Sequence, residues 1–193
     1  MFSNACISVT RILIMAIAVF VSGTGTNLQA MIDDVDIDIE MVITNRNAKF
    51  VSALRRCENA GISWISYLNN MENLEKYTTE TFEEKNVELI VLAGFMKLLS
   101  PAYVKRWEGK IINIHPSLLP SFKGAHAIEQ AFEYGVKYTG VTVHYVDEGM
   151  DTGSIIAQQT VKVAKRDTVE TLEKKIHKVE HKLYPKVIKD LLK

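Results

Sequence analysis

"ILIMAIAVFVSGTGTNLQA", residues 12–30, decides the fold. Ile12–Val21 is an unbroken apolar run, rich in Ile and Val, that stops at a glycine-rich turn. A run without polar alternation fits a strand buried on both faces, as in a parallel sheet covered by helices. It is too short to span a bilayer. No A-x-A cleavage pattern directly follows it, as a secretory leader would need. Asn27–Asp33 then opens a helix, so the stretch reads as strand, turn, helix. Met15 begins "MAIAVFV", itself a natural start. Residues 1–14 therefore read as a loosely held extension or a misplaced start, ahead of one domain spanning 15–193.

Outward from this unit, strand and helix patterns alternate. Strand two is expected at 39–45, then a helix across 48–60, a short strand at 62–68 and a helical stretch near 71–86. "VELIVLAGF" (87–95) is a strongly apolar strand and "KIINIH" (110–115) the next. Residues 126–135 form a helix ended by Gly135. Two strands follow, 139–148 and 154–163, with no helix between them, so this part of the sheet should be antiparallel. The last helix starts at Asp167, whose spacing to Glu170 suits a capping box. Val169, Leu172, Ile176, Val179 and Leu183 give it an apolar stripe, and Pro185 is predicted to kink or break it. The fold class is α/β: a single-domain, open, twisted, mostly parallel sheet of Rossmann-like type, with helices on both faces and an antiparallel part in the C-terminal half.

Composition narrows the function. Lys plus Arg and Asp plus Glu both number 23 in 193 residues, with no dense basic block. That argues against a nucleic-acid binder, which needs many phosphate contacts. Cys6 and Cys57 have neither metal-ligand spacing nor a disulfide framework, and read as reduced thiols of a cytosolic protein.

Two places carry polar groups where a buried sheet gains nothing from them. In "SGTGTN" (22–27), Gly23 and Gly25 permit a tight turn and close approach of a ligand, Thr24 and Thr26 offer hydroxyls, and a helix follows. This is an anion cradle suited to one phosphate. A P-loop lysine is missing, and Leu28 stands where a dinucleotide fingerprint needs its third glycine. The second place is "IINIHPSLLP" (111–120). Asn113 and His115 lie two apart, hence on one face of the strand, at an end where open α/β sheets bind ligands. A carboxylate partner is expected from "DEGMDTGSI" (147–155). Asp147, Glu148 and Asp151 are rivals, with Asp151 the most closely framed by glycine. Amide, imidazole and carboxylate suit acyl transfer to a nucleophile that is not part of the protein. The amide donates to an oxyanion, the imidazole handles a proton, and the carboxylate orients the imidazole. A metal site of His115, His144 and Asp151 is the weaker alternative, since no metal-ligand spacing supports it.

The segments "SGTGTNLQA", "VLAGFMKLLSP", "INIHPSLLPSFKGAHAIEQA", "GVTVHYVDEGMDTGSII" and "HKVEHKLYP" occur in this order. From about Met15 to the C-terminus, the chain resembles the folate-dependent formyltransferase family, in its phosphoribosylglycinamide formyltransferase branch. The resemblance implies formyl transfer from 10-formyltetrahydrofolate, a co-substrate, to the amine of 5′-phosphoribosylglycinamide in purine biosynthesis. It implies no bound cofactor or metal, no nucleic acid or membrane partner, and a cytoplasmic monomer or homodimer. Asn113, His115 and Asp151 would be catalytic. Gly25, Thr26 and Asn27 would hold the phosphate, with His177 and Glu180 at the ribose. Met96, Lys97, Leu98, Leu99, Asn113, Asp147, Glu148 and Met150 would meet the folate. Two positions depart from the pattern: Leu74 stands where relatives often carry a base, with Lys76 displaced, and Lys123 stands where proline is common. A tRNA formyltransferase would need a basic RNA-binding domain, and a formyltetrahydrofolate hydrolase a regulatory one. A phosphate-ligand binder would have no use for the trio.

Overall fold

A computed structural model describes residues 16–68 and 70–193. The expected extension 1–14, with Cys6, and the beginning of the first strand at 12–15 lie outside the described residues. The elements are β1 (Ala16–Val21), α1 (Thr26–Ile32), β2 (Asp38–Thr44), α2 (Ala53–Ala60), β3 (Trp64–Ser66), α3 (Met71–Glu84), β4 (Val87–Leu92), α4 (Pro101–Arg106), β5 (Ile111–His115), α5 (Ala127–Tyr134), β6 (Tyr138–Tyr145), β7 (Ile155–Lys162) and α6 (Val169–Leu191). They build one seven-stranded sheet in the order β3-β2-β1-β4-β5-β6-β7. Pairing is parallel from β3 to β5 and antiparallel for β5–β6 and β6–β7, as the missing crossover helix foretold.

The uniform apolarity of β1 has a direct cause. Ile17, Val19 and Val21 point to one face, onto Leu28 and Met31 of α1, Leu54 and Cys57 of α2, and Leu172 and Ile176 of α6. Ala18 and Phe20 point to the other, onto Leu74 and Phe82 of α3 and Tyr103 and Val104 of α4. Each fully buried Ile or Phe contributes about 2 kcal/mol. The strand order reverses between β1 and β4, so the crevice beyond their carboxyl ends is the expected ligand position.

Four local expectations need correction. The helix across 48–60 is a short 3₁₀ turn at Ala48–Phe50 followed by α2, because Val51 turns extended and buries itself in the core. Helix α4 was not anticipated; Ser100 caps it, its hydroxyl accepting from the Tyr103 N–H, with Pro101 in the first turn. The cap of α6 is Thr168, in a reciprocal box with Thr171. Asp167 is occupied instead by the Ala164 N–H and the Lys175 ammonium. Finally, α6 runs through Pro185 to Leu191. Proline there forfeits one backbone bond without ending the helix; Tyr184, Val187 and Ile188 on its two sides are buried in the core.

Candidate active site

Register across the sheet places the two polar regions on one rim. Phe20 of β1 pairs with Leu92 of β4, and Leu92 pairs with Asn113 of β5. Two strand spacings put Asn113 about 10 Å from the exit of β1. Ser22 ties that exit to its neighbours: its hydroxyl donates to Asn45 Oδ1 at 2.9 Å and accepts from the Met96 N–H at 3.0 Å.

At the glycine turn, Gly25 adopts φ 71° and is buried. A Cβ on it would lie 2.5 Å from the Cβ of Ala53, whereas one on Gly23 would meet nothing within 4 Å. Close approach of α2, rather than of a ligand, therefore demands the glycine at 25. Thr26 and Asn27 begin α1. Asn27 Nδ2 donates to Glu180 Oε2 at 3.1 Å, and Asn27 Oδ1 is buried with no partner among the described residues. Burial pushes the Glu180 carboxyl above its ordinary value, against the opposing pull of His177 and Asn27. His177 Nε2 stands 4.0 Å from Glu180 Oε2. The structure thus brings Asn27, His177 and Glu180 to one corner, although α1 and α6 are far apart in sequence. His181, one turn beyond His177 and stacked on it, was not foreseen; its Nε2 is buried without a partner among the described residues. Burial, then the charges of His177 and Arg56, lower its proton affinity.

At the end of β5, Asn113 and His115 face the loop after β6. Asp151 Oδ2 lies 3.3 Å from His115 Nδ1 and accepts from the Gly124 N–H at 2.8 Å. Its Oδ1 faces Asn113 Nδ2 at 3.5 Å and His144 Nε2 at 3.6 Å. Burial works to raise the Asp151 carboxyl, but contacts with His144 and Gly124 and the charges of both imidazoles hold it down at about 2. His115 Nε2 donates to the Phe122 carbonyl at 2.8 Å. Both ring nitrogens therefore face acceptors, and the ring can carry two protons with each donated. Phe122 and Asp151 have φ of 55° and 52°, a conformation costing non-glycine residues about 1–2 kcal/mol each. The backbone strain at these two positions is spent on aiming a carbonyl and a carboxylate at one histidine.

His144 belongs to this cluster, which sequence reading weighed only as a metal ligand. It sits opposite Asn113 in the β5–β6 register. Its Nδ1 donates to the Tyr145 carbonyl at 2.7 Å, and its Nε2 lies 3.3 Å from Asn113 Nδ2. The Asn113 amide points at Nε2, and this contact fixes its orientation. The period-two pattern of β6 could have marked His144 as inward-facing, but not what it met. Among the described residues, no group of three or more His, Cys, Asp or Glu is arranged to hold a metal ion.

The rival carboxylates separate by geometry. Asp147 Oδ1 accepts from Gly149 N and Thr152 Oγ1, closing its own turn. Asp147 and Glu148 line a cleft of about 580 Å³, faced by Val104 and Lys105 of α4. Met96, Lys97 and Leu98 lie exposed after β4, with Leu99 half-buried; neither they, Asn113 nor Met150 line that cleft. Met150 covers Gly124, where a Cβ would come 3.0 Å from its sulfur. Leu74 is fully buried, so α3 presents no base there, while Lys76 and Lys123 are exposed.

Comparison with known proteins shows what the chain as a whole is similar to. The family profile described as formyl transferase matches residues 15–188. Phosphoribosylglycinamide formyltransferase of Bacillus subtilis (strain 168) is 44% identical over 184 residues, 91% of this chain and 93% of that protein. The human trifunctional purine biosynthetic protein adenosine-3 is 45% identical over 179 residues, 88% of this chain but 17% of that much longer protein. The crystal structure of phosphoribosylglycinamide formyltransferase from Bacillus halodurans has TM-score 0.85 at 42% identity, covering 92% of this chain and 95% of that one. A profile match over nearly the whole chain, together with these relatives, establishes that the chain belongs to the formyl transferase family.

Proposed function

We propose that this chain transfers the formyl group of 10-formyltetrahydrofolate to the amine of 5′-phosphoribosylglycinamide, a step of purine biosynthesis. One observation carries the reading: Asn113, His115 and Asp151 converge on the same sheet rim as the glycine turn. Gly25, Thr26 and Asn27 hold the phosphate, and Glu180 with His177 receives the ribose hydroxyls. Asn27 Oδ1, buried without a partner among the described residues, and the buried Glu180 carboxylate beside it are suited to donors that a ribose supplies. The folate lies against the 96–99 segment and the 147–151 loop, which line the pocket for its pterin ring.

The neutral amine attacks the formyl carbon. As the new C–N bond forms, charge builds on the former carbonyl oxygen. Asn113 and protonated His115 stabilise that oxygen; such donors are worth about 100-fold each in rate. The His115 Nε2–H, which donates to the Phe122 carbonyl, would turn that hydrogen bond to the oxyanion. Asp151 stays ionised at neutral pH and keeps the imidazole oriented. The amine proton passes to the departing folate nitrogen as its bond to carbon breaks. Residues 15–193 act as one domain, with 1–14 outside it. A cytoplasmic monomer or homodimer accompanies this reading; no helix among the described residues is long and apolar enough to cross a membrane.

Folate absorbance with and without the ribonucleotide tests it. Transfer requires the amine, hydrolysis proceeds without it, and a binding protein gives no change. A signal independent of the ribonucleotide refutes the proposal.

A further inference from the structure

Residues 19–30 contain no basic side chain, and α1 is only two turns long. A doubly charged phosphate held there needs a cation and fixed donors from elsewhere. Helix α2 supplies both. Arg56 Nε donates to the Thr24 carbonyl at 3.1 Å, and its Nη1 donates to Gln29 Oε1 at 2.8 Å. Three residues earlier, the Ala53 N–H donates to the Gly23 carbonyl at 3.4 Å, and the Ala53 methyl fills the space a Cβ on Gly25 would take.

These bonds fix more than the carbonyls. In a planar trans peptide the C=O and the following N–H point in opposite directions. Drawing the Gly23 and Thr24 carbonyls towards α2 turns the Thr24 and Gly25 N–H groups away from it. Neither N–H has a backbone acceptor among the described residues. Arg56 is also close enough for its charge to lower the proton affinity of His181 across the turn. Its Nη2 makes no hydrogen bond among the described residues.

We infer that Arg56 is a positioning residue for the phosphate of the ribonucleotide: its forked guanidinium presets the 23–25 turn with its amides outward and supplies the positive charge the turn lacks. The inference rests on the proposed function, which gives the turn its ligand. A lysine keeps the charge but lacks the planar fork that holds Thr24 and Gln29 in this geometry.

Arg56→Met and Arg56→Lys are compared with wild type, with Arg56→Gln replacing the Met variant should that fail to fold. Arg56→Met should raise the KM for the ribonucleotide roughly 10-fold or more. Inhibition by inorganic phosphate should weaken in parallel, with kcat and the folate KM within about twofold. Arg56→Lys should recover less than half of the loss on a logarithmic scale. Unchanged ribonucleotide KM and phosphate inhibition in Arg56→Met overturn the inference, and so does full rescue by lysine. If wild type transfers no formyl group, the proposed function fails. The turn is then read by thermal stabilisation with inorganic phosphate, which wild type should show and Arg56→Met should not; equal stabilisation overturns the inference there too.

Discussion

Replacing Gly25 by alanine tests how the turn is built. The new methyl meets two penalties that can be separated. The residue stands at φ 71°, where a Cβ costs about 1–2 kcal/mol. The methyl would also lie 2.5 Å from Ala53 Cβ and 3.0 Å from Ala53 Cα, so α2 must retreat by about 1 Å. Overpacking of that kind costs about 1–3 kcal/mol. Together they predict a loss of about 2–5 kcal/mol, read as the shift of the urea midpoint at neutral pH. Gly23→Ala, in the same turn but with nothing within 4 Å, should lose less than about 0.5 kcal/mol. Adding Ala53→Gly to Gly25→Ala should return the packing part and leave the conformational part, a coupling of about 1–3 kcal/mol in a double-mutant cycle. Equal losses at 23 and 25, or no coupling with Ala53, would refute the claim that α2 dictates the second glycine.

Three further outcomes follow from the polar groups. Asp151→Asn should lower kcat about 100-fold and cost about 2 kcal/mol of stability at pH 7, from a carboxyl held at about 2 rather than 3.8. Because the folded-state value is depressed, that stabilisation is present above about pH 4 and fades as pH falls towards 2, so the gap to wild type in urea midpoints should narrow at pH 3; an equal gap at pH 7 and pH 3 contradicts it. Glu180→Gln should raise the melting temperature at pH 7 while increasing the ribonucleotide KM at least about 10-fold. Its carboxyl is raised by burial, so ionisation costs stability as pH rises through its folded value, and the neutral amide avoids that cost; a lower melting temperature with unchanged KM counts against it. His144→Gln should reduce kcat about 10-fold with both KM values within threefold, because it orients the Asn113 amide; wild-type turnover removes His144 from the site.

What could be read from the chain depended on range. The apolar continuity of β1 and the missing helix before β7 are local patterns, and they gave the parallel sheet with its antiparallel end. Asn113 and His115 stood out because polar side chains at a buried strand exit break a local rule. Helix α4, Pro101–Arg106, is too short for a helical period to show, although Ser100-Pro101 is a capping signal. Thr168 outcompeted Asp167 as the cap because Lys175 holds that carboxylate. Arg56 and His144 act through partners brought close only by the crossing of α2 and the pairing of β6, so no spacing in the sequence announces them.

Helix α6 follows every strand in the chain, yet it supplies Tyr184, whose buried hydroxyl contacts the carbonyls of Leu92 on β4 and Ile112 on β5 at 2.9 and 3.2 Å. It also brings Glu180 to Asn27. During synthesis on a ribosome, the rest of the sheet is therefore complete in sequence before its reactive rim can be aligned. Until α6 docks, the nascent chain exposes the apolar surface that Leu172, Ile176 and Ile188 will cover. The stretch translated after all seven strands acts as the latch on both counts, closing the core and arming the enzyme in one event.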